Sequence, residues 1–100
     1  MNRDELAQER GLLAWPELAR HFARGVVVVV DPQLDLLEVA DAMSQDDRQR
    51  FGQWMTQGLV RRAEDDDALR WETSERILDA IVVAPWVLVK ETPHTVTRSH

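Results

Sequence analysis

Apolar and polar positions change their spacing several times along this chain, and each change marks an element. Asn2-Arg3-Asp4-Glu5 has capping-box spacing and opens a short helix that Gly11 can end. Trp15 to Gly25 follows, with Pro16 suited to a first helical position and Glu17 at the positive end of the helix dipole. Leu18, Ala19, Phe22 and Ala23 form one helical stripe, and Arg24-Gly25 is a stop. Val26 to Val30 are five consecutive valines. Their β-branched side chains favour a strand, and the lack of alternation predicts cover on both faces. Asp31-Pro32 ends that strand. Asp35 and Glu38 then have capping-box spacing, with Leu34 and Val39 at staple positions, so a helix runs to about Met43.

A second helix is predicted from Ser44-Gln45-Asp46-Asp47, with Ser44 as its cap, Phe51, Trp54 and Met55 facing the core, and Gly58 as its stop. Gly52 falls inside it, at a cost of up to about 1 kcal/mol against Ala, which close helix packing would offset. Leu59 to Ala63 reads as a short strand. Asp65-Asp66-Asp67 caps a short helix to about Glu75, anchored by Leu69 and Trp71. Ile77 to Val89 is the longest apolar stretch. Pro85 cannot donate to a ladder, so a bend, a bulge or two strands are expected there. The domain is predicted over residues 1–91, with a flexible polar tail over 92–100.

The elements make a single small α+β domain. Their order is winged-helix-like (α-β-α-α-β-β), with a short extra helix before the last strand, in residues 64–76 where a wing would lie. The predicted core comprises Phe22, the valine strand, Leu37, Phe51, Trp54, Leu59, Ile81, Val83 and Val87.

Composition is consistent with one folded unit. At 100 residues, about 65% of the unfolded surface can be buried, enough for one core. There is no cysteine, which excludes disulfides, thiolate zinc sites and cysteine nucleophiles. No apolar run reaches membrane-spanning length, and no signal-like stretch follows Met1, so a cytoplasmic location without membrane partners is expected.

Two stretches carry a resemblance: Val29-Val30-Asp31-Pro32-Gln33-Leu34-Asp35-Leu36-Leu37-Glu38-Val39-Ala40, and Val82-Val83-Ala84-Pro85-Trp86-Val87-Leu88-Val89-Lys90-Glu91. With Trp15-Pro16 and the pattern Trp54…Gly58-Leu59, they resemble a family of short bacterial proteins catalogued as domain of unknown function 2288. The resemblance implies a free-standing bacterial protein and carries no activity, ligand or catalytic residue.

The chain is acidic, net −6, and the middle third holds nearly all the excess: residues 32–67 carry four basic and nine acidic groups. That opposes general binding to phosphate backbones. Eleven of the twelve cations are Arg, which favours planar ion pairs or an interface.

Candidate chemistry is sparse. Asp31, Asp35, Glu38 and Asp41 are weak metal or general-acid candidates, since hard cations want clustered oxygens. Capping, strand termination and solvation account for the same four residues more cheaply. His21, His94 and His100 lack zinc-site spacing, and no phosphate-cradling glycine loop or nucleophilic serine motif is present. No catalytic residue, metal or cofactor is therefore assigned. Trp and Arg dominate interface hot spots, and Trp86, Arg61 and Arg62 are the interface candidates, with Trp86 as a partly exposed anchor.

The resulting expectation is a non-catalytic protein-interaction or assembly module, with an unknown protein partner or self-association. The valine-rich stretch at 77–89 needs a partner strand, which a second copy could supply. A winged-helix DNA-binding regulator is the alternative, reading through Arg48, Gln49 and Gln53 with Arg61 and Arg62 beside the wing. The acid at Asp46 and Asp47 and the net charge weigh against DNA. A small metal- or carboxylate-dependent enzyme is the third reading.

Overall fold

The computed structural model describes residues 3–74 and 76–95. Asn2, the first residue of the predicted capping box, and residues 96–100 of the predicted tail lie outside them, as does Glu75.

Two valine-rich strands form the centre. β2 (Val27–Val30) is buried at all four residues and runs parallel to β5 (Trp86–Thr95), with Val27 beside Val87 and Val29 beside Val89. β5 continues through 92–95, the start of the predicted tail. β3 (Val60–Arg62) pairs antiparallel with β2 on one side. β4 (Arg76–Val83) pairs antiparallel with β5 on the other, and β1 (Arg10–Leu13) pairs antiparallel with β4. The mixed sheet has the order β1-β4-β5-β2-β3.

Both faces of this sheet are covered. α1 (Arg3–Gln8), α3 (Leu36–Ser44) and α4 (Arg48–Thr56) lie on one face. There Leu6, Leu36, Val39 and Ala40 pack on Val28, Val30, Ile81 and Leu88. α2 (Trp15–Ala23) and α5 (Asp65–Ser74) lie on the other, where Leu18 and Trp71 pack on Val27, Val29, Leu78, Val87 and Val89. Alternate residues of β2 and β5 feed the two cores, as pleating requires. That is why these strands carry no polar alternation.

The α+β class, the element order from α2 to β5 and the two-sided burial of the valines match the sequence pattern. The strand pairing differs from that of a winged helix. The predicted extra helix, α5 (Asp65–Ser74), stands where a hairpin wing would lie, and β3 and β4 do not pair. The stretch at 77–89 also needs no second copy. It splits at the turn Ala84-Pro85, whose peptide bond is cis, into a hairpin flanked by β1 and β2 of the same chain.

Local differences have local causes. Gly11, predicted to end α1, lies inside β1, because Leu13 and Gly11 align with Leu78 and Ala80 of β4. Ser44 is the last residue of α3, its hydroxyl donating to the Asp41 carbonyl, and Asp47 caps α4 by accepting from Arg50 N at 3.2 Å. The Asp35 carboxylate accepts from Leu37 N, while Glu38 faces Arg50 at 3.9 Å instead of closing the box. Leu69 is exposed, and Trp71 anchors α5, fully buried. Phe22, Leu37, Phe51 and Trp54 are half-buried at the core margins.

Candidate functional site

Helix α4 covers its part of the sheet incompletely. It has no fully buried residue and rests on the core through Phe51 and Trp54, whose rings meet edge to face at 6.1 Å. Met55, predicted to point inward, is 56% exposed. It lies one turn beyond Phe51, at the rim of the helix's apolar stripe. Gly52 shares that side of the helix, and a methyl group built there would meet nothing within 4 Å. Gly52 therefore packs against no described neighbour and leaves a gap.

Facing this side of α4 is the turn between β4 and β5. A groove of about 560 Å³ lies between them, walled by Met43, Phe51 and Met55 on one side and by Val83, Pro85 and Trp86 on the other. Asp46, Asp47 and Arg48 contribute to its lining at the turn between α3 and α4. The size and apolar lining fit a binding cleft. Trp86, the predicted anchor, is half-buried in it. Arg62 lies over the Trp86 ring at 5.5 Å from its centroid, and its guanidinium donates to the Gly25 carbonyl at 2.8 Å. Two of the three interface candidates thus meet. Phe51, Met55 and Pro85 join them only through tertiary packing, and nothing in the linear pattern links α4 to a turn some thirty residues later.

Arg61 points to the opposite face of the sheet. It forms a fork on Asp67, at 2.7 and 2.8 Å, and Asp67 is 2% exposed. The Glu64 backbone N–H and Arg70 complete the shell of that carboxylate, at 2.8 and 3.0 Å. The Arg61 guanidinium, above all, holds Asp67 well below the usual carboxylate range, and Arg61 is raised in return. Arg70 also donates to Glu91, as does Trp71 Nε1 at 3.3 Å. Together these groups tie α5 to β3 and β5, which is a structural role. A smaller recess of about 160 Å³ lies beside Arg61 and Glu91.

The other predicted positions are dispersed. Arg48, Gln49 and Gln53 are exposed on α4, with Arg48 alone of the three at the groove beside Trp86, while Arg61 is held by Asp67. Asp31 accepts from Gln33 N at 2.9 Å and Asp35 caps α3. Glu38 faces Arg50, and Asp41 takes contacts from Arg3 and Gln45 at 3.4 and 2.9 Å. Among the described residues, no group of three or more His, Cys, Asp or Glu is placed to hold a metal ion. No described helix is long and apolar enough to cross a membrane. His21 is half-buried on α2, the side chain of His94 is not described, and His100 lies outside the described residues.

The fold and groove define a small α+β domain with a mixed five-stranded sheet, helices on both faces and an apolar cleft at the end of its central hairpin. The chain belongs to the family described as "Protein of unknown function (DUF2288)", whose model matches residues 1–91. It is similar to the protein in the NMR solution structure of PA1075 from Pseudomonas Aeruginosa, at 37% identity and a TM-score of 0.81. The match covers 94% of this chain and 87% of that one. No curated protein matches it.

Proposed function

We propose that this protein is a non-catalytic interaction module and that the groove between α4 and the β4–β5 turn is where it docks on another protein. The observation that carries this reading is the lining of the groove: Phe51, Met55, Pro85 and Trp86 beside one another, with Met55 more than half exposed. Soluble domains rarely leave such residues together without a use for them. Trp is a frequent hot-spot residue, and Met adapts to irregular partners. Arg62 stacks on Trp86 and favours one orientation of the indole.

A DNA-binding reading has less support. Arg61 is engaged by Asp67, and Asp46 and Asp47 stand at the start of the helix that would meet the bases. The carboxylates considered for catalysis are occupied by caps and ion pairs.

Affinity capture from an extract of the producing cells tests the proposal, using the wild type, Met55→Gln in the groove and Leu69→Glu on the opposite face. A protein retained by the wild type and Leu69→Glu but lost with Met55→Gln is the expected result. Identical retained sets for all three baits would remove the groove as the docking surface.

A further inference from the structure

Resting on the docking reading above, we infer that the protein seated in the groove is a second copy of this chain, which lays its α4 antiparallel across α4 so that each Met55 enters the gap at the other's Gly52. Knob and gap sit on one helix. Gly52 and Met55 are three residues apart and share the side of α4 that lines the groove. Met55 is 56% exposed, and nothing lies within 4 Å of a methyl group built on Gly52. A two-fold axis between the levels of Gln53 and Trp54 sets each Met55 opposite the partner's Gly52, so one placement fills both gaps. A second recess, of about 410 Å³, flanks Gly52 on its other side, beside Gln49, Gln53 and Thr56. The backbone of α4 is thus open to close approach along Gly52.

Charge favours the same occupant. Phe51 to Val60 carries no charged residue, although Gly52, Gln53, Met55, Thr56, Gln57 and Gly58 are exposed. The exposed sides of other helices do carry charge, as Glu17 and Arg20 on α2 and Asp66 and Glu72 on α5 show. Depletion of charge marks the centre of an interface. At the rim, Asp46 and Asp47 stand against Arg48 and Arg50, with Arg62 on the Trp86 wall, so the net −6 of the chain is not concentrated where two copies would meet. The antiparallel placement also brings Arg48, 87% exposed, level with the C-terminal end of the partner's α4, where a cation is favoured. The face is one nine-residue helix and one turn. A standard interface takes roughly 20–30 residues from each side, so this dimer is a weak one that forms at micromolar concentrations or above.

Sedimentation equilibrium from about 5 µM to about 1 mM tests the inference. Circular dichroism confirms that each variant is folded. The wild type and Leu69→Glu are expected to dimerise alike. Met55→Glu and Gly52→Lys, both at exposed positions, should each weaken the dimer by about tenfold or more. An equimolar mixture of these two variants should dimerise again, because Met55→Glu on one chain then faces Gly52→Lys on the other, while the second contact keeps its native Met55 and Gly52. A wild type that stays monomeric throughout would overturn the second copy and leave the groove to a different protein, which the capture experiment above tests separately. A dimer unchanged by both α4 variants, or weakened as much by Leu69→Glu, would place the contact elsewhere and overturn the inference. Failure of the mixture to dimerise would overturn the pairing of Met55 with Gly52.

Discussion

A carboxylate as enclosed as that of Asp67 persists as an anion only with its lone pairs occupied, and four donors from Arg61, Arg70 and Glu64 occupy them. Its folded pKa is depressed, so the group stabilises the fold fully above the unfolded carboxylate value of about 3.9. That contribution is lost as pH falls from there towards the folded pKa. Asp67→Asn is therefore expected to lower stability by about 2–4 kcal/mol at pH 7, because Arg61 loses its fork. It should also lose less stability than the wild type between pH 5 and pH 2. Urea midpoints at pH 7, 5, 3 and 2 check both, and parallel curves for the two proteins would contradict the assignment. The run Asp65-Asp66-Asp67 signals a helix start in the sequence, and that start is real. Nothing in the run distinguishes the third aspartate from the other two. Asp67 is singled out because the helix turns it towards Arg61 on β3.

Among the elements, α4 is the one whose sequence and surroundings fit least tightly. Gly52 weakens a helix interior, yet no described neighbour requires the missing side chain. Gly52→Ala is expected to stabilise the protein by about 0.5–1 kcal/mol, raising the thermal midpoint by roughly 2–8 °C. Calorimetry checks this, and a lower midpoint would mean that Gly52 has a packing role after all. β1 shows the opposite relation between sequence and surroundings. Arg10-Gly11-Leu12-Leu13 has no strand-like alternation, and Gly11 reads as a stop. The ladder with β4 and the Arg10–Asp79 ion pair hold it as a strand, and these are contacts nearly seventy residues apart.

At the scale of the molecule, one sheet supplies both cores, so neither core can come apart alone. Trp54 and Trp86 report the α3–α4 side, and Trp15 and Trp71 the α2–α5 side. Variants that retain only one of these pairs, by Trp→Phe substitution at the other two positions, are each expected to unfold in a single transition. Within each variant, fluorescence and circular dichroism should have coincident midpoints. A fluorescence transition of either pair that precedes the loss of secondary structure would show that the faces unfold separately. In the mixed sheet order β1 pairs with the hairpin at Leu78–Ile81 and β2 at Val87–Val89, which covers the apolar middle of both its strands.

The features legible from the residues alone are local ones. The five valines, the Pro16 and Asp35 helix starts, the glycine stops at Gly25 and Gly58 and the break at Pro85 act over a few residues, through backbone freedom, capping and side-chain branching. Those effects act through neighbours in sequence, so the α+β class and the element order from α2 to β5 could be read directly. The choice of partners came from long-range packing. That β2 lies parallel to β5, that Arg61 and Arg62 diverge to opposite faces, and that Met55 meets the β4–β5 turn all depend on contacts between distant segments. The candidate groove belongs to this second class. Trp86 reads as an anchor from its residue type, whereas Phe51 and Met55 read as core because their spacing is that of a core stripe, and only the incomplete cover given by α4 leaves them open to a partner.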